Sequence, residues 1–166
     1  MNERRRRWIR RGIELLLIVA LIAGIRAWQQ RDVATGPAPP LAGTLLDGTP
    51  YALAEQRGQA VLVHFWATWC PVCALEEGSI DAIAGDHPVI TVAMQSGGDA
   101  EVAAHLAGKG LDFPVLNDPA GHHAARWGVR AVPATFIVGP DGRIRFTEVG
   151  YTTGIGLRIR LWLAGR

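Results

Sequence analysis

Only two of the 166 residues are cysteine and only two are methionine. The methionines, Met1 and Met94, form no tract of the kind that collects soft copper ions. There is no second cysteine pair, so a zinc site on Cys70 and Cys73 would need histidine to complete it. Here the histidines are poorly placed: His122 and His123 are adjacent, while His87 and His105 stand alone. The chain has no internal repeat and no Gly-rich nucleotide loop. Beyond the N-terminus it also lacks positive charge. Residues 1–32 hold eight of the 17 basic and three of the 15 acidic side chains, leaving nine basic against twelve acidic, a charge near −3. The overall +2 therefore belongs to the N-terminus, and nothing points to a nucleic-acid partner.

What the N-terminus does contain is a basic head, Arg4 to Arg7 with Arg10 and Arg11, followed by an apolar run from Gly12 to Ile25. That order is the pattern of a segment inserted with its N-terminus in the cytoplasm. The run is 14 residues long and is interrupted only by Glu14, which is signal-peptide length and short of the roughly 20 that span a bilayer. Trp8 and Trp28 bracket it, however, at a separation of about 30 Å along a helix. Arg10, Arg11 and Arg26 can extend to the interfaces. Small-x-small cleavage sites are poor: Ile25-Arg26-Ala27 begins with a bulky residue and Ala34-Thr35-Gly36 lies far downstream. A single uncleaved transmembrane signal-anchor over 1–28 is expected, with a cleaved signal as the alternative. Residues 29–43, with Pro37, Pro39 and Pro40, read as a semi-extended tether. The domain at 44–166 then lies outside the cytoplasm, in an oxidising compartment such as the periplasm.

Within 44–166 the pattern alternates. Thr44–Leu46 and Tyr51–Leu53, separated by Asp47-Gly48, read as a β-hairpin. Ala60–Trp66 and Val89–Met94 are continuous apolar runs suited to buried strands. A helix is expected from Cys70 to about Ala84, with Pro71 in its first turn. Further helices are expected at Asp99–Gly108 (Asp99 a possible N-cap), Ala120–Trp127 and Thr152–Leu163. Strands follow at Phe113–Leu116, Ala134–Val138 and Ile144–Val149, the last two joined by Pro140-Asp141-Gly142. The result is an α/β layered architecture.

The two cysteines stand in Trp69-Cys70-Pro71-Val72-Cys73, where the first apolar strand gives way to helix-forming sequence. A bare C-x-x-C means redox or metal. Together, Val61 to Cys73 and Gly128-Val129-Arg130-Ala131-Val132-Pro133-Ala134-Thr135-Phe136 resemble the thioredoxin superfamily. More narrowly, they resemble the membrane-anchored TlpA/DsbE-like envelope proteins. The Trp-Cys-Pro-Val-Cys form followed by Ala74-Leu75-Glu76-Glu77-Gly78-Ser79-Ile80 is similar to the copper-sensitivity suppressor ScsD branch.

The resemblance implies a thioredoxin fold, a central mixed sheet flanked by helices, with the hairpin as an N-terminal extension. It implies protein thiol–disulfide exchange with no dissociable cofactor, the redox group being the Cys70–Cys73 disulfide. The physical chemistry agrees. The attacking sulfur needs a lowered pKa, which a helix N-terminus provides, and Cys70 occupies that end. Cys73, about one turn further in, can resolve the mixed disulfide. Pro71 stiffens the first turn, Val72 completes the pair's spacing, and Trp69 shields the sulfurs and lines the docking surface. By resemblance Pro133 is a cis-proline facing the dithiol, and Val132 offers backbone groups to a substrate strand. His64 stands where thioredoxin carries a buried Asp. It is either a neutral core histidine or a proton carrier. Glu76 matches a glutamate of TlpA-like proteins and is either functional or a solvated helix carboxylate. Where many relatives have a helix-kinking proline, this chain has Gly78.

The expected partners are protein thiols and disulfides, a membrane electron-transfer protein and the bilayer. The resemblance favours a reductase or redox relay. Two alternatives are a thioreductant for apocytochrome c and, in another class, a Cu(I) chaperone or buffer using the reduced pair as thiolates.

Overall fold

The computed structural model describes residues 3–30 and 33–166, in two compact units, Met1–Asp32 and Val33–Arg166. The first is a single helix, α1 (Glu3–Gln30), of 28 residues. Among the described residues no helix is long and apolar enough to cross a membrane. The apolar run of α1 is short, holds Glu14 and is flanked by arginine, against a bilayer that needs roughly 20 apolar residues.

The second unit is built on a five-stranded sheet. Its strands are β3 (Val61–Trp66), β4 (Val89–Met94), β5 (Val115–Asp118), β6 (Ala134–Val138) and β7 (Ile144–Val149), in the order β5-β4-β3-β6-β7. β3 pairs in parallel with β4 and antiparallel with β6, and β4 pairs in parallel with β5. β6 pairs antiparallel with β7. Every residue of β3, β4 and β6 is buried, as suits largely apolar central strands covered on both sides, with one polar residue in each, His64, Thr91 and Thr135.

Alternation along β3 divides its side chains between two core layers. Val61, Val63 and Phe65 join Trp127 and Phe136 on one face. Leu62 and Trp66 join Cys73, Ile80 and Leu157 on the other, the face where α3 (Glu77–Ala84) and α6 (Gly154–Ala164) contribute their buried residues. α4 (Asp99–Lys109) and α5 (His122–Arg126) complete the helices of the sheet, with α2 described below.

Several boundaries differ from expectation. The hairpin is β1 (Ala42–Thr44) and β2 (Pro50–Ala52); Leu45 closes its turn through the Thr49 carbonyl and also bridges to Leu116, and the Leu46 N–H donates to the Val115 carbonyl. α4 is capped by Gly98, whose N–H is accepted by the Glu101 carboxylate at 2.5 Å, and Asp99 is its first helical residue. The stretch from residue 33 to 41, expected in a free tether, lies along the domain. Val33 and Leu41 are buried in the core. The Ala34 N–H donates to the Trp127 carbonyl and the Ala38 N–H to the Gly142 carbonyl, each at 3.0 Å. The apolar side chains between the prolines give this stretch something to bury. Residues 31 and 32, also in the expected tether, lie outside the described residues.

Candidate active site

β3 delivers the chain to the cysteines at the edge of the sheet. After Trp66 the segment turns, with the Cys70 N–H donating to the Ala67 carbonyl at 3.1 Å. A short helix, α2 (Pro71–Ala74), then begins. Pro71 sits at its first position, where its missing N–H costs nothing. Cys70 is the N-cap residue in extended conformation, and its Sγ accepts the Cys73 N–H at 3.1 Å. Cys70 and Cys73 are joined as a disulfide. Cys73 is fully buried, whereas Cys70 retains 6 % of its surface. Access to Cys70 is thus confined to a small window.

Antiparallel pairing of β3 with β6 sets Phe65 beside Ala134 and His64 beside Thr135. The start of β6 is therefore brought to the end of β3 that leads into the cysteines. The Val132–Pro133 peptide bond is cis, and the Val132 carbonyl oxygen lies 3.6 Å from Cys70 Sγ. Pro133 is buried and Val132 half-buried. On its other side the Pro133 carbonyl accepts the Gly150 N–H at 2.8 Å, which fixes the β7–α6 turn beside the cis-proline.

The long helix expected from Cys70 to Ala84 is broken at Leu75-Glu76 into α2 and α3, so a break occurs here without a proline. The break turns Glu76 inward. It is 1 % exposed, and its Oε1 accepts the Thr152 N–H in the same β7–α6 turn. Its Oε2 is buried without a partner. Burial pushes the carboxyl up to about 7, against the opposing Thr152 hydrogen bond. Of the two readings of Glu76, the solvated carboxylate is therefore excluded.

Glu77 is also buried, and its carboxylate meets α4, accepting from Lys109 Nζ at 2.6 Å and lying 2.8 Å from His105 Nε2. Burial pushes its pKa up, but the hydrogen bonds from Lys109 and His105 outweigh burial and hold it below the usual range. Glu76 and Glu77 thus tie the same break to two different elements.

His64 lies beneath the site on the sheet face it shares with Leu62 and Trp66. It is fully buried, with Nδ1 2.9 Å from Thr135 Oγ1. Burial lowers its pKa to about 4, with the Glu77 charge pulling the other way. At neutral pH it is an uncharged, hydrogen-bonded core histidine.

Trp69 is 59 % exposed, and Pro71 and Val72 are also at the surface. The Trp69 indole N–H donates to the Gln95 carbonyl at 2.9 Å. Gln95 adopts a left-handed backbone with φ 48°, rare for a residue with a side chain. Its neighbour Ser96 accepts the Thr68 N–H through Oγ at 3.0 Å. The turn after β4 therefore supports the segment that carries Cys70. Gln95, Ser96, Thr152, Glu77, His105 and Lys109 were not anticipated as parts of this region; a Gly-Gly pair after β4 was the only local hint of a special turn. Among the described residues no group of three or more His, Cys, Asp or Glu side chains is placed to hold a metal ion.

Comparison with known proteins agrees with this geometry. A family model described as Redoxin matches residues 33–155. The chain is 28 % identical over 158 residues to a thioredoxin-like protein of Haemophilus influenzae, covering 94 % of each. It is 26 % identical to the thiol-disulfide oxidoreductase ResA of Bacillus subtilis, over 92 % of this chain and 90 % of that one. A thiol:disulfide interchange protein of the thioredoxin family from Chlorobium tepidum superposes with a TM-score of 0.67 at 23 % identity, covering 80 % of this chain and 98 % of that one. The chain belongs to the Redoxin family, here with the thioredoxin fold and a cysteine pair, Cys70 and Cys73, as its redox group.

Proposed function

We propose that this protein is a membrane-tethered, extracytoplasmic thiol–disulfide oxidoreductase that exchanges electrons with cysteine pairs of other proteins, as a reductase or redox relay. One observation carries the reading. The two cysteines are joined, Cys73 is fully enclosed, and Cys70 alone has a window, opposite the Val132 carbonyl. An incoming sulfur can meet only Cys70.

In the reduced protein Cys70 attacks a substrate disulfide to form a mixed disulfide. Cys73 then attacks Cys70 Sγ and releases the second substrate thiol. The Cys73 N–H aimed at Cys70 Sγ favours the thiolate form of that sulfur. Val132 supplies a backbone carbonyl for the arriving strand, and Pro133 with Trp69, Pro71 and Val72 frames it. The Glu76 carboxyl, buried three residues beyond Cys73 and raised by burial to about 7, is the group we assign to receive the resolving proton. The low pKa of His64 makes it a support for the sheet beneath the dithiol.

Membrane attachment is supported by the arginine-rich head and by the exposed Leu15, Leu16 and Leu17 of α1. Retention of the full chain in a membrane pellet after carbonate washing tests it. A membrane dithiol protein is the matching electron partner, and Trp-Cys-Pro-Val-Cys supports a place in the ScsD branch.

A Cys73→Ala variant should accumulate mixed disulfides through Cys70, and identification of the trapped proteins names the substrate. Recovery of apocytochromes would assign the protein to cytochrome c maturation. A variant that traps nothing, beside a wild type that exchanges no faster than free thiols, would end the enzyme reading.

A further inference from the structure

The cysteines lie on a segment, 67–76, that leaves β3 after Trp66 and enters α3 at Glu77. Both ends of that segment meet one side chain of α4, His105, which the exchange reaction does not use. The His105 ring packs against Trp66, with centroids 5.4 Å apart and planes at 39°. Its Nε2 lies 2.8 Å from Glu77 Oε1. Glu77 is held ionised and can only accept, so Nε2 carries the hydrogen and donates it.

Each of these contacts is itself fixed. Trp66 is fully buried, and its indole N–H donates to Thr91 Oγ1 at 3.1 Å. The Thr91 hydroxyl in turn donates to the Pro114 carbonyl at 2.9 Å. Glu77 Oε2 accepts from Lys109 Nζ at 2.6 Å. On α4, His105 stands one turn from Lys109 and one turn from Val102. Val102 is fully buried in the core layer that holds Trp66, Cys70 and Cys73. α4 therefore presents His105 toward the cysteine segment, and through it the start and the end of the segment are joined.

We propose that His105 is a positioning residue for the resolving step: by joining Trp66 to Glu77 it keeps Cys73 within reach of Cys70 while the disulfide is open. The inference rests on the exchange reaction proposed above. In the oxidised protein the Cys70–Cys73 bond holds the sulfurs together. In the mixed disulfide that bond is absent, and Cys73 must find Cys70 Sγ through the backbone alone. Tying the ends of the segment removes conformations in which the sulfurs separate, which raises the effective concentration of one at the other. The first attack, by Cys70 on a substrate, needs no such help.

The test mixes reduced full-length protein with 5,5′-dithiobis(2-nitrobenzoate) in a stopped-flow instrument. The Cys70 thiolate attacks one sulfur of the reagent, breaks its S–S bond and expels one coloured nitrothiobenzoate with the electron pair. This phase is proportional to reagent concentration. Deprotonated Cys73 then attacks Cys70 Sγ and expels the second nitrothiobenzoate, in a phase independent of reagent concentration. The protein finishes as the Cys70–Cys73 disulfide, having given two electrons to the reagent and two protons to the buffer.

His105→Ala should slow the second phase about tenfold and leave the first near that of wild type. The equilibrium constant for oxidation by glutathione disulfide should fall in step, about tenfold or roughly 30 mV toward a less negative potential. A loss of stability shared by both redox states moves neither quantity. Lys109→Met removes the other partner of Glu77 but leaves Glu77 joined to Trp66, so its second phase should stay near wild type. His105→Phe keeps a ring against Trp66 and His105→Gln keeps a donor for Glu77; each should slow the second phase alone, and less than His105→Ala. A second phase slowed less than about threefold in His105→Ala, or slowed as much in Lys109→Met, would overturn the inference. Should His105→Ala fail to fold, second phases equal to wild type in both the Phe and Gln variants overturn it instead. A wild type that releases no second nitrothiobenzoate overturns the exchange reaction itself, a separate and recognisable result.

Discussion

Glu76 and His64 are buried titratable groups whose linkage to folding runs in opposite directions across the same pH window. The fold holds Glu76 at about 7, above its ordinary 4.5, because burial penalises the charge more than the Thr152 N–H favours it. Its contribution to stability is complete below pH 4.5 and is lost as pH rises through about 7. At about 1.4 kcal/mol for each pH unit, the loss is roughly 3 kcal/mol. His64 is held at about 4, below its ordinary 6.5, chiefly by burial. Its contribution is complete above 6.5 and is lost as pH falls through about 4, again by roughly 3 kcal/mol. Between pH 4.5 and 6.5 the two slopes offset each other. Glu76→Gln keeps an oxygen for the Thr152 N–H and removes one slope. Urea unfolding of the oxidised protein at half-unit pH steps from 4.5 to 7 reads the result. Wild-type stability minus variant stability should fall by roughly 3 kcal/mol as pH rises over that range. The variant alone should gain about 1.4 kcal/mol per pH unit up to 6.5, the unmasked slope of His64. Parallel curves for the two proteins would refute a buried, ionisable Glu76.

His105→Ala combined with Lys109→Met leaves the Glu77 carboxylate buried without a cation. The expected loss is about 3 kcal/mol in denaturant unfolding, and a loss below about 1 kcal/mol would show that α3 is not held through this cluster. Trp127, fully buried with ring centroids 4.9 Å from Phe136 and 5.6 Å from Phe65, should cost about 4 kcal/mol as Trp127→Ala, read by thermal or urea unfolding. Trp69→Phe keeps an aromatic ring but loses the donor to the Gln95 carbonyl. It should cost about 1 kcal/mol, and an unchanged unfolding midpoint would mean that the indole is not held there in solution.

The parts of the fold legible in the sequence are those where a local pattern has one physical solution. A short, β-branched and aromatic run such as Val61 to Trp66 fits a strand covered on both faces, and it is the centre of the sheet. Proline after a cysteine at a strand end marks the start of a helix, and Pro71 stands there. Other details escaped because they depend on partners distant in the chain. Leu46 departs from the hairpin because β5 offers its N–H the Val115 carbonyl. Val33 and Leu41 lie against the domain because its core has room for them, although the prolines around them suggest a free linker. Gly78 gave no sign of a helix break, yet Glu76 is drawn inward to Thr152, 76 residues later.

By itself the sequence determined the reactive pair, its spacing, the strand that precedes it and the charge asymmetry of the N-terminus. Those are properties of contiguous residues, governed by periodicity, backbone restriction and side-chain chemistry. The sequence pointed to Cys70 as the attacking sulfur, and the tertiary structure decided how far each cysteine is enclosed, because burial of Cys73 requires elements from the whole domain to pack around it. It also decided that Glu76 and Glu77, neighbours with the same side chain, have different environments. One is buried with an unpartnered oxygen and a pKa raised by desolvation, and the other meets a lysine and a histidine from α4. Burial and charge are set by what surrounds a group in space, and a linear pattern carries that information only where the neighbours in space are also neighbours in the chain.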